Sequence, residues 1–260
     1  MSVAEHRSAA LAVDGLSVRY GALKALDDVS WSVATGEILG IIGPNGAGKS
    51  SCFAAVTNSV VHGGETYLLG QPVAGVPTQE LAVKGLRRTF QQNSFFGELT
   101  VMENAVSVLA RDHSTAFSAS LLLPWREAAT RRAATAAARR LLDRFGIAAL
   151  HYDKRPGEIP YGIQRLLSVA LAYGNGPRVL LLDEPAAGIG GNDMRHLARI
   201  LLDLRTAGLA LVVIEHHMDL IMTVADRIVV IEQGRHLAEG PPAAIQADPT
   251  VLEAYLGRTQ

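Results

Sequence analysis

A short apolar run followed at once by a glycine-rich turn and a lysine is the feature that most constrains this chain. Residues 37–42 read Glu-Ile-Leu-Gly-Ile-Ile, and residues 43–50 read Gly-Pro-Asn-Gly-Ala-Gly-Lys-Ser. The second segment fits the pattern GxxxxGK[ST] at every fixed position. Glycines let the backbone turn its N–H groups inward, and those donors together with a helix N-terminus suit a polyphosphate. The two segments therefore predict a buried strand, a phosphate-binding loop and a helix.

Two side chains at the end of this loop have predicted tasks. Lys49 is expected to reach the outer phosphates of a nucleotide triphosphate, and Ser50 to hold Mg²⁺. A glycine turn that merely precedes a helix is the alternative. That alternative does not require lysine and serine at the helix start after a buried strand.

Composition narrows the remaining possibilities. At 260 residues the chain can form one large domain or a core with a subdomain. Lys and Arg total 24 against 25 Asp and Glu, so no basic surplus favours nucleic acid as a partner. Cys52 is the single cysteine, which fits a reducing compartment and a small packing residue on the loop's helix. No apolar run approaches the ~18 residues of a membrane span, so we expect a soluble chain.

Two kinds of strand pattern indicate two sheets. Alternating apolar and polar residues predict half-buried antiparallel strands at 11–20, 29–33 and 65–69. Nearly continuous apolar residues predict parallel strands covered on both faces at 37–42, 86–90, 179–182 and 211–214. The second group predicts a doubly wound core. Residues 227–232 and 235–239, joined by Gln233-Gly234, read as a hairpin.

From about 94 to 165 the pattern changes to Ala, Leu and Arg at helical spacing, which predicts an inserted helical subdomain. Thr100 and Glu103 form a capping box for one helix, and residues 125–145 read as another. We expect residues 9–260 to form the folded domain and residues 1–8 to be a disordered N-terminus.

A second phosphate-site element is the run Val-Leu-Leu-Leu-Asp-Glu-Pro at residues 179–185. Asp183 is placed to hold the Mg²⁺ shell, and Glu184 to polarise an attacking water. A strand that ends in two acids can be an ordinary loop start. Together with the glycine-rich loop, it favours nucleotide hydrolysis over simple nucleotide storage.

Several motifs now occur in the order of a known family. GPNGAGKS is followed by Thr-Phe-Gln at 89–91, Tyr-Gly at 161–162 with Gln164 and Arg165, LLLDEP, and Ile-Glu-His at 214–216. Over nearly its whole length the chain resembles the ATP-binding cassette (ABC) ATPases. The resemblance implies an α/β fold with a P-loop NTPase (RecA-like) core, an antiparallel β subdomain and an inserted α-helical subdomain. It also implies an ATPase that dimerises head to tail, so that a monomer lacks a complete site.

The resemblance assigns roles to individual residues. Tyr20 matches the aromatic that stacks on adenine, with packing of its strand as the alternative. Gln91 matches a residue that touches Mg²⁺ and the attacking water, and His216 matches the switch histidine at the γ-phosphate. His217, on an extended segment, should point away from His216. Gly162 should meet the γ-phosphate of the opposite protomer through its backbone N–H.

The expected catalytic set is Glu184, His216, Gln91 and Lys49. The expected nucleotide contacts are Tyr20, Gly43, Pro44, Asn45, Gly46, Ala47, Gly48, Lys49, Ser50, Ser51 and, in trans, Gly162. The expected Mg²⁺ contacts are Ser50, Gln91 and Asp183.

The sequence departs from the family pattern at two places. The usual LSGGQ signature aligns with Ile-Pro-Tyr-Gly-Ile at 159–163, where Pro160 replaces a serine hydroxyl. The contact in trans should be weaker by one hydrogen bond, roughly 0.5–1.5 kcal/mol. The segment Ala-Gly-Ile-Gly at 187–190 lacks the usual aspartate of the D-loop.

Other variants resemble the ATPases of branched-chain amino-acid importers: Tyr-Gly in the signature, Ala-Ala-Gly at 186–188, Glu-His-His-Met at 215–218 and the end from 248 to 257. This likeness implies permease subunits, a second ATPase subunit that is a copy or a paralogue, and indirectly a substrate-binding protein. It implies a peripheral position on the cytoplasmic face of the membrane. The cargo could also be other hydrophobic amino acids. Importer ATPases for urea or short amides, soluble ABC ATPases without a permease, and small-molecule P-loop kinases remain alternatives.

Phe95 and Phe96 follow Gln91 closely in the sequence. One hypothesis is that they line a groove for a permease helix, since paired aromatics are good interface anchors. The other is that both pack inside the helical insert.

Overall fold

The computed structural model describes residues 9–89, 95–110 and 124–256. The predictions for residues 1–8 and for Gln91 lie outside these ranges. The strands are β1 Leu11–Tyr20, β2 Leu23–Val33, β3 Ile38–Ile42, β4 His62–Leu68, β5 Gln71–Pro72, β6 Leu86–Arg88, β7 Val179–Asp183, β8 Ala210–Ile214, β9 Arg227–Glu232 and β10 Arg235–Gly240. The helices are α1 Lys49–Val56, α2 Thr78–Val83, α3 Val101–Ala110, α4 Pro124–Arg144, α5 Tyr161–Tyr173, α6 Gly191–Thr206, α7 Met218–Val224, α8 Pro242–Ala247 and α9 Pro249–Leu256. None of the helices in these ranges has both the length and the apolar content needed to cross a bilayer.

The larger sheet has six strands in the order β10-β9-β3-β8-β7-β6. Strands β9, β3, β8, β7 and β6 run parallel, and the β9–β10 hairpin is antiparallel, as predicted. Every position of β3, β7 and β8 is buried, which explains their continuous apolar sequences. Strand β6 ends at Arg88, two residues before the end predicted for it.

The register of this sheet brings three strand ends to one edge. Ile41 of β3 pairs with Ile214 of β8, and Ile214 pairs with Asp183 of β7. The glycine-rich loop after β3, the acids at the end of β7 and the segment after β8 therefore begin side by side. In open parallel sheets the carboxyl ends of the strands are where ligands bind.

The smaller sheet is antiparallel, in the order β2-β1-β4-β5. Strand β2 begins at Leu23, six residues before the predicted start at Val29. The reason is an irregular register between β1 and β2, where Asp28 takes a positive φ of 60°. Such a bulge shifts the alternation of side chains, so the first half of β2 does not follow the two-residue period. The inner face packs with α1 in one core that includes Trp31 and Phe53.

The chain divides into two compact units, residues 1–88 with 177–260 and residues 89–176. The second unit contains α3, α4 and α5 and is helical, in agreement with the pattern of its sequence. The Glu103 N–H donates to Thr100 Oγ1 at 3.1 Å, and the Thr100 N–H donates to Glu103 Oε2 at 2.8 Å, which confirms the capping box. The limits of the folded domain and of its helical insert stay predictions.

In this second unit, the loop before α3 is held by the buried Asn104. Its amide nitrogen donates to the carbonyl oxygens of Phe96, Leu99 and Thr100, and its Oδ1 accepts the Phe96 N–H. Phe96 remains 63% exposed, whereas Phe95 is partly buried. Packing inside the helical unit therefore does not account for Phe96.

Candidate nucleotide-binding and catalytic site

An open cleft of about 540 Å³ lies over the glycine-rich loop in the first unit. Most of the predicted nucleotide contacts line it, namely Tyr20, Asn45, Gly46, Ala47, Gly48, Lys49, Ser50 and Ser51, together with the predicted base Glu184. Tyr20 is 47% exposed at this cleft, so about half of its surface is open to a ligand. An exposed aromatic face beside a phosphate-binding loop is suited to stacking on a base.

The glycine-rich loop needs glycine at two positions because other backbone segments approach it closely. A Cβ atom on Gly48, where φ is 103°, would lie 2.3 Å from the Ala25 carbonyl oxygen. On Gly43, where φ is 152°, it would lie 2.0 Å from the Ile231 carbonyl oxygen. Helix α1 follows directly from Gly48, with no side-chain cap hydrogen bond. The first N–H groups of a helix have no intrahelical partner, so those of α1 suit an anion.

Lys49 is nearly buried beneath this loop, with 7% of its surface exposed. Its Nζ donates to the carbonyl oxygens of Gly43 at 2.7 Å and Pro44 at 3.0 Å. Burial lowers the pKa of Lys49, while the nearby carboxylates of Glu184 and Asp183 act in the opposite direction. The ammonium group thus lies in the loop at the wall of the cleft. Of the predicted contacts, Gly43 and Pro44 hold Lys49 and do not line the cleft.

Asp183 ends β7 and is 4% exposed. Its Oδ2 accepts a hydrogen bond from Arg88 Nη2 at 2.7 Å. The Arg88 guanidinium also lies over the ring of Phe53 in α1, 5.4 Å from the ring centroid. Arg88 therefore connects the metal-binding candidate Asp183 to the helix that carries Lys49 and Ser50.

Glu184 adopts a left-handed backbone conformation, with φ 48°. Such a conformation costs a non-glycine residue of order 1–3 kcal/mol and persists where the surrounding structure enforces it. Here the Glu184 N–H donates to the Ile214 carbonyl oxygen at 2.9 Å, and the Ala187 N–H donates to the Glu184 carbonyl oxygen at 3.1 Å. The sharp turn presents the Glu184 side chain to the cleft.

His216 lies next to this carboxylate. Its Nδ1 is 3.9 Å from Glu184 Oε1, and its side chain is 49% exposed. The prediction that His217 points away from His216 is wrong, because the two ring centroids are 4.4 Å apart. The chain bends at residue 216 between β8 and α7, so the alternation of side chains along a continuous strand does not apply. In the described part of the chain, no cluster of three or more His, Cys, Asp or Glu side chains could hold a metal.

Sequence reasoning missed several residues of the cleft, namely Leu23, Lys24, Ala25, Gln233 and Gly234. The β9–β10 hairpin turn is hydrogen-bonded to the glycine-rich loop, because the Gly234 N–H donates to the Ala47 carbonyl oxygen at 2.9 Å. The Gly234 carbonyl oxygen in turn accepts the Asp27 N–H at 2.7 Å. The turn itself was predicted from Gln233-Gly234, but no local pattern indicates what a hairpin turn contacts.

Gly162 belongs to the second unit, where it is the second residue of α5 and is buried. Pro160 occupies the N-cap position of this helix, and the cap makes no side-chain hydrogen bond. The departure from the usual signature therefore falls at a helix start, as the alignment of motifs predicts. The roles of Gly162, and of Gln91 outside the described ranges, stay predictions.

Comparisons with known proteins agree with this geometry. A family model described as ABC transporter matches residues 26–187, and one described as branched-chain amino acid ATP-binding cassette transporter matches residues 235–259. The branched-chain amino acid transport ATP-binding protein LivG of Salmonella typhimurium is 38% identical over 252 residues, 95% of this chain and 97% of LivG. BraF of Pseudomonas aeruginosa, which carries the same description, is 36% identical over 249 residues, 95% of this chain and 97% of BraF.

The fold is also found among solved structures. An ATP-binding cassette of an ABC transporter in its ADP conformation superimposes with a TM-score of 0.81 at 27% identity, covering 96% of this chain and 99% of that one. The predicted fold class, a P-loop NTPase core with an antiparallel β subdomain and a helical insert, is confirmed.

Proposed function

Because the chain belongs to the ABC transporter ATPases, we propose that it binds and hydrolyses MgATP to energise a membrane importer of branched-chain amino acids. The observation that supports this proposal is the edge of the larger sheet, where Glu184 and Lys49 line one cleft and Glu184 Oε1 lies 3.9 Å from His216 Nδ1. For the cargo, support comes from the match of residues 235–259 to the branched-chain cassette family and from the likeness to LivG and BraF.

The cleft suits ATP in both shape and charge. Tyr20 offers a flat ring for the adenine, and the turn of Gly46 and Gly48 leaves room for phosphates to approach the backbone. Lys49 supplies the positive charge. Its Nζ now donates hydrogen bonds to the carbonyl oxygens of the loop, and it would donate to the phosphates instead when ATP binds. Ser51 lies in the first turn of α1. By the resemblance to the ABC family, it is the residue expected to contact the α-phosphate.

The residues assigned to Mg²⁺ fit the ion, which prefers oxygen ligands. Ser50 would supply a hydroxyl, Asp183 a carboxylate and, by the family resemblance, Gln91 an amide oxygen. When bound, the ion neutralises charge on the phosphates and orients them. Arg88 Nη2 donates to Asp183 Oδ2 at 2.7 Å, which holds the carboxylate in place at the end of β7.

Glu184 and His216 each have one task in hydrolysis. Glu184 accepts a proton from the attacking water, whose oxygen forms a bond to the γ-phosphorus as the bond to the bridging oxygen breaks and ADP leaves. His216 donates a hydrogen bond to the γ-phosphate oxygens that gain charge. The Gly162 N–H of a second subunit completes the site, so a dimer is required. Pro160 at the start of α5 removes one donor from that contact.

We place the subunit at the cytoplasmic face of the membrane, attached to permease subunits and paired with a second ATPase that is a copy or a paralogue. The exposed Phe96 is a candidate contact for a permease helix. Replacing Phe96 by alanine should weaken assembly with the permease and leave ATP binding unchanged. Intact assembly and transport-coupled hydrolysis in this variant would exclude the contact.

The test is transport by the complex. The tagged chain, expressed in its native host, should co-purify with membrane subunits, and the purified complex should support ATP-driven uptake of leucine, isoleucine and valine into proteoliposomes. The Glu184→Gln variant should assemble equally and transport nothing. Uptake of urea or short amides instead would show that these compounds, and not branched-chain amino acids, are the cargo. Co-purification with ribosomes or DNA, or phosphoryl transfer to a metabolite, would reject the transport function.

A further inference from the structure

One acid at the site has no role in the hydrolytic scheme above. Glu215 directly follows β8 and is completely buried, with 0% of its surface exposed. It cannot act as the base, because a group closed to solvent cannot contact the attacking water, whereas Glu184 lines the cleft. Burying a carboxylate is costly unless hydrogen bonds compensate it. Its contacts therefore indicate what it does.

Both oxygens of the Glu215 carboxylate accept backbone N–H groups from the segments that carry Glu184 and His216. Oε1 accepts the N–H of Ala186, two residues after Glu184, at 2.6 Å. Oε2 accepts the N–H groups of His216 at 3.1 Å and His217 at 3.2 Å. A single carboxylate thus joins the turn after β7 to the turn after β8.

This connection reaches the two functional side chains through the backbone. His216 Nδ1 and Glu184 Oε1 are 3.9 Å apart, which is too far for a hydrogen bond between them. The Glu184 N–H donates to the carbonyl oxygen of Ile214, which fixes the start of the same turn. The Glu215 carboxylate fixes its other end at Ala186.

We infer that Glu215 is a positioning residue that fixes the general base Glu184 and the γ-phosphate donor His216 relative to each other. The inference rests on the proposed hydrolysis of ATP. A carboxylate is suited to this task because its two oxygens accept several N–H groups and offer no donor. A glutamine at this position would turn an NH₂ group toward at least one of these N–H donors, leaving it without its acceptor.

The experiment compares the full chain in its transporter complex with Glu215→Gln and a matched control, Glu37→Gln. Glu37 belongs to the same unit and also accepts a backbone N–H, from Ala34 at 2.6 Å, but it does not line the cleft. We expect Glu215→Gln to lower kcat by about 10- to 100-fold, because displacement of about 1 Å costs that much, with KM for ATP within about twofold. Glu37→Gln should leave both parameters near wild type.

A double-mutant cycle with His216→Ala separates positioning from general damage. The fold loss in kcat that Glu215→Gln causes in the wild-type background should be at least about five times the fold loss that it causes in the His216→Ala background. The reason is that part of its effect passes through His216. A smaller difference overturns the inference. So does a loss in kcat of less than about tenfold, or a change in KM alone. If Glu215→Gln does not fold, Glu215→Asp, which keeps the charge and moves the carboxylate by one methylene, is used in the same cycle.

Hydrogen exchange tests the connection without activity. In Glu215→Gln, the amides of residues 184, 186 and 187 and those of 214–218 should all exchange at least about tenfold faster than in wild type and in Glu37→Gln. Unchanged exchange in either segment overturns the inference. A wild-type complex that hydrolyses no ATP would reject the proposed function, and the exchange measurement would still decide the role of Glu215.

Discussion

The two glycines at positions 46 and 48 allow a sharp test of the loop geometry. Both have positive φ, 80° and 103°. An added Cβ meets nothing within 4 Å at Gly46, but at Gly48 it lies 2.3 Å from the Ala25 carbonyl oxygen and 2.9 Å from Leu26 Cδ2. Replacement by alanine should therefore cost backbone strain at both positions and a steric clash at Gly48 only.

The magnitudes follow from these two terms. Positive φ costs a residue with a Cβ about 1–2 kcal/mol, so Gly46→Ala should lower the free energy of unfolding by that amount. Overpacking adds about 1–3 kcal/mol, so Gly48→Ala should lower it by about 2–5 kcal/mol. Urea unfolding of the nucleotide-free chain, followed by far-ultraviolet circular dichroism, measures both. Equal losses, within about 0.5 kcal/mol, would refute the close approach of residues 25–26 to the loop.

Three further predictions concern Cys52, Arg88 and Lys49. Burial raises the pKa of the Cys52 thiol to about 12 from 9.0, despite the hydrogen bond from Trp31 Nε1. The folded state thus keeps a proton that the unfolded state loses, so the resulting stability is complete below pH 9.0 and is lost toward about pH 12. Urea unfolding should show this as a decline of up to about 1.4 kcal/mol per pH unit that is absent from Cys52→Ala. Arg88→Met should lower the free energy of unfolding by about 3–5 kcal/mol, because it leaves the Asp183 charge buried, and adding Asp183→Asn should restore part of the loss in the same assay. Lys49→Ala should weaken ATP binding by at least about tenfold in calorimetry, since a charged donor contributes about 1.5–3 kcal/mol, whereas Lys24→Ala at the cleft wall should change binding by less than about threefold.

The strands that position the site could be predicted because burial alone determines their sequences. β3, β7 and β8 are buried on both faces, so they must be apolar throughout, and a polar residue at the end of such a strand is conspicuous. That is why Asp183 and Glu184 could be singled out from the local pattern, whereas Lys49 was singled out by the glycine-rich loop. The start of β2 could not, because the bulge at Asp28 breaks the alternation on which strand prediction depends.

The connections between these motifs depend on tertiary structure. Arg88 contacts Asp183 because β6 pairs with β7, and the two residues are 95 positions apart in the chain. Gly234 reaches Ala47 because β9 pairs with β3. Glu215 was part of a recognised motif, but its sequence position says nothing of burial or of the turn whose N–H it accepts.

The role of Glu184 as the base for ATP hydrolysis at this cleft is decided by replacing its carboxylate with the isosteric amide. In the transporter complex, Glu184→Gln should bind ATP with a Kd within about threefold of wild type and hydrolyse it at least about 100-fold more slowly, the usual contribution of a general base. Hydrolysis at the wild-type rate, with ATP bound equally well, would exclude Glu184 as the base.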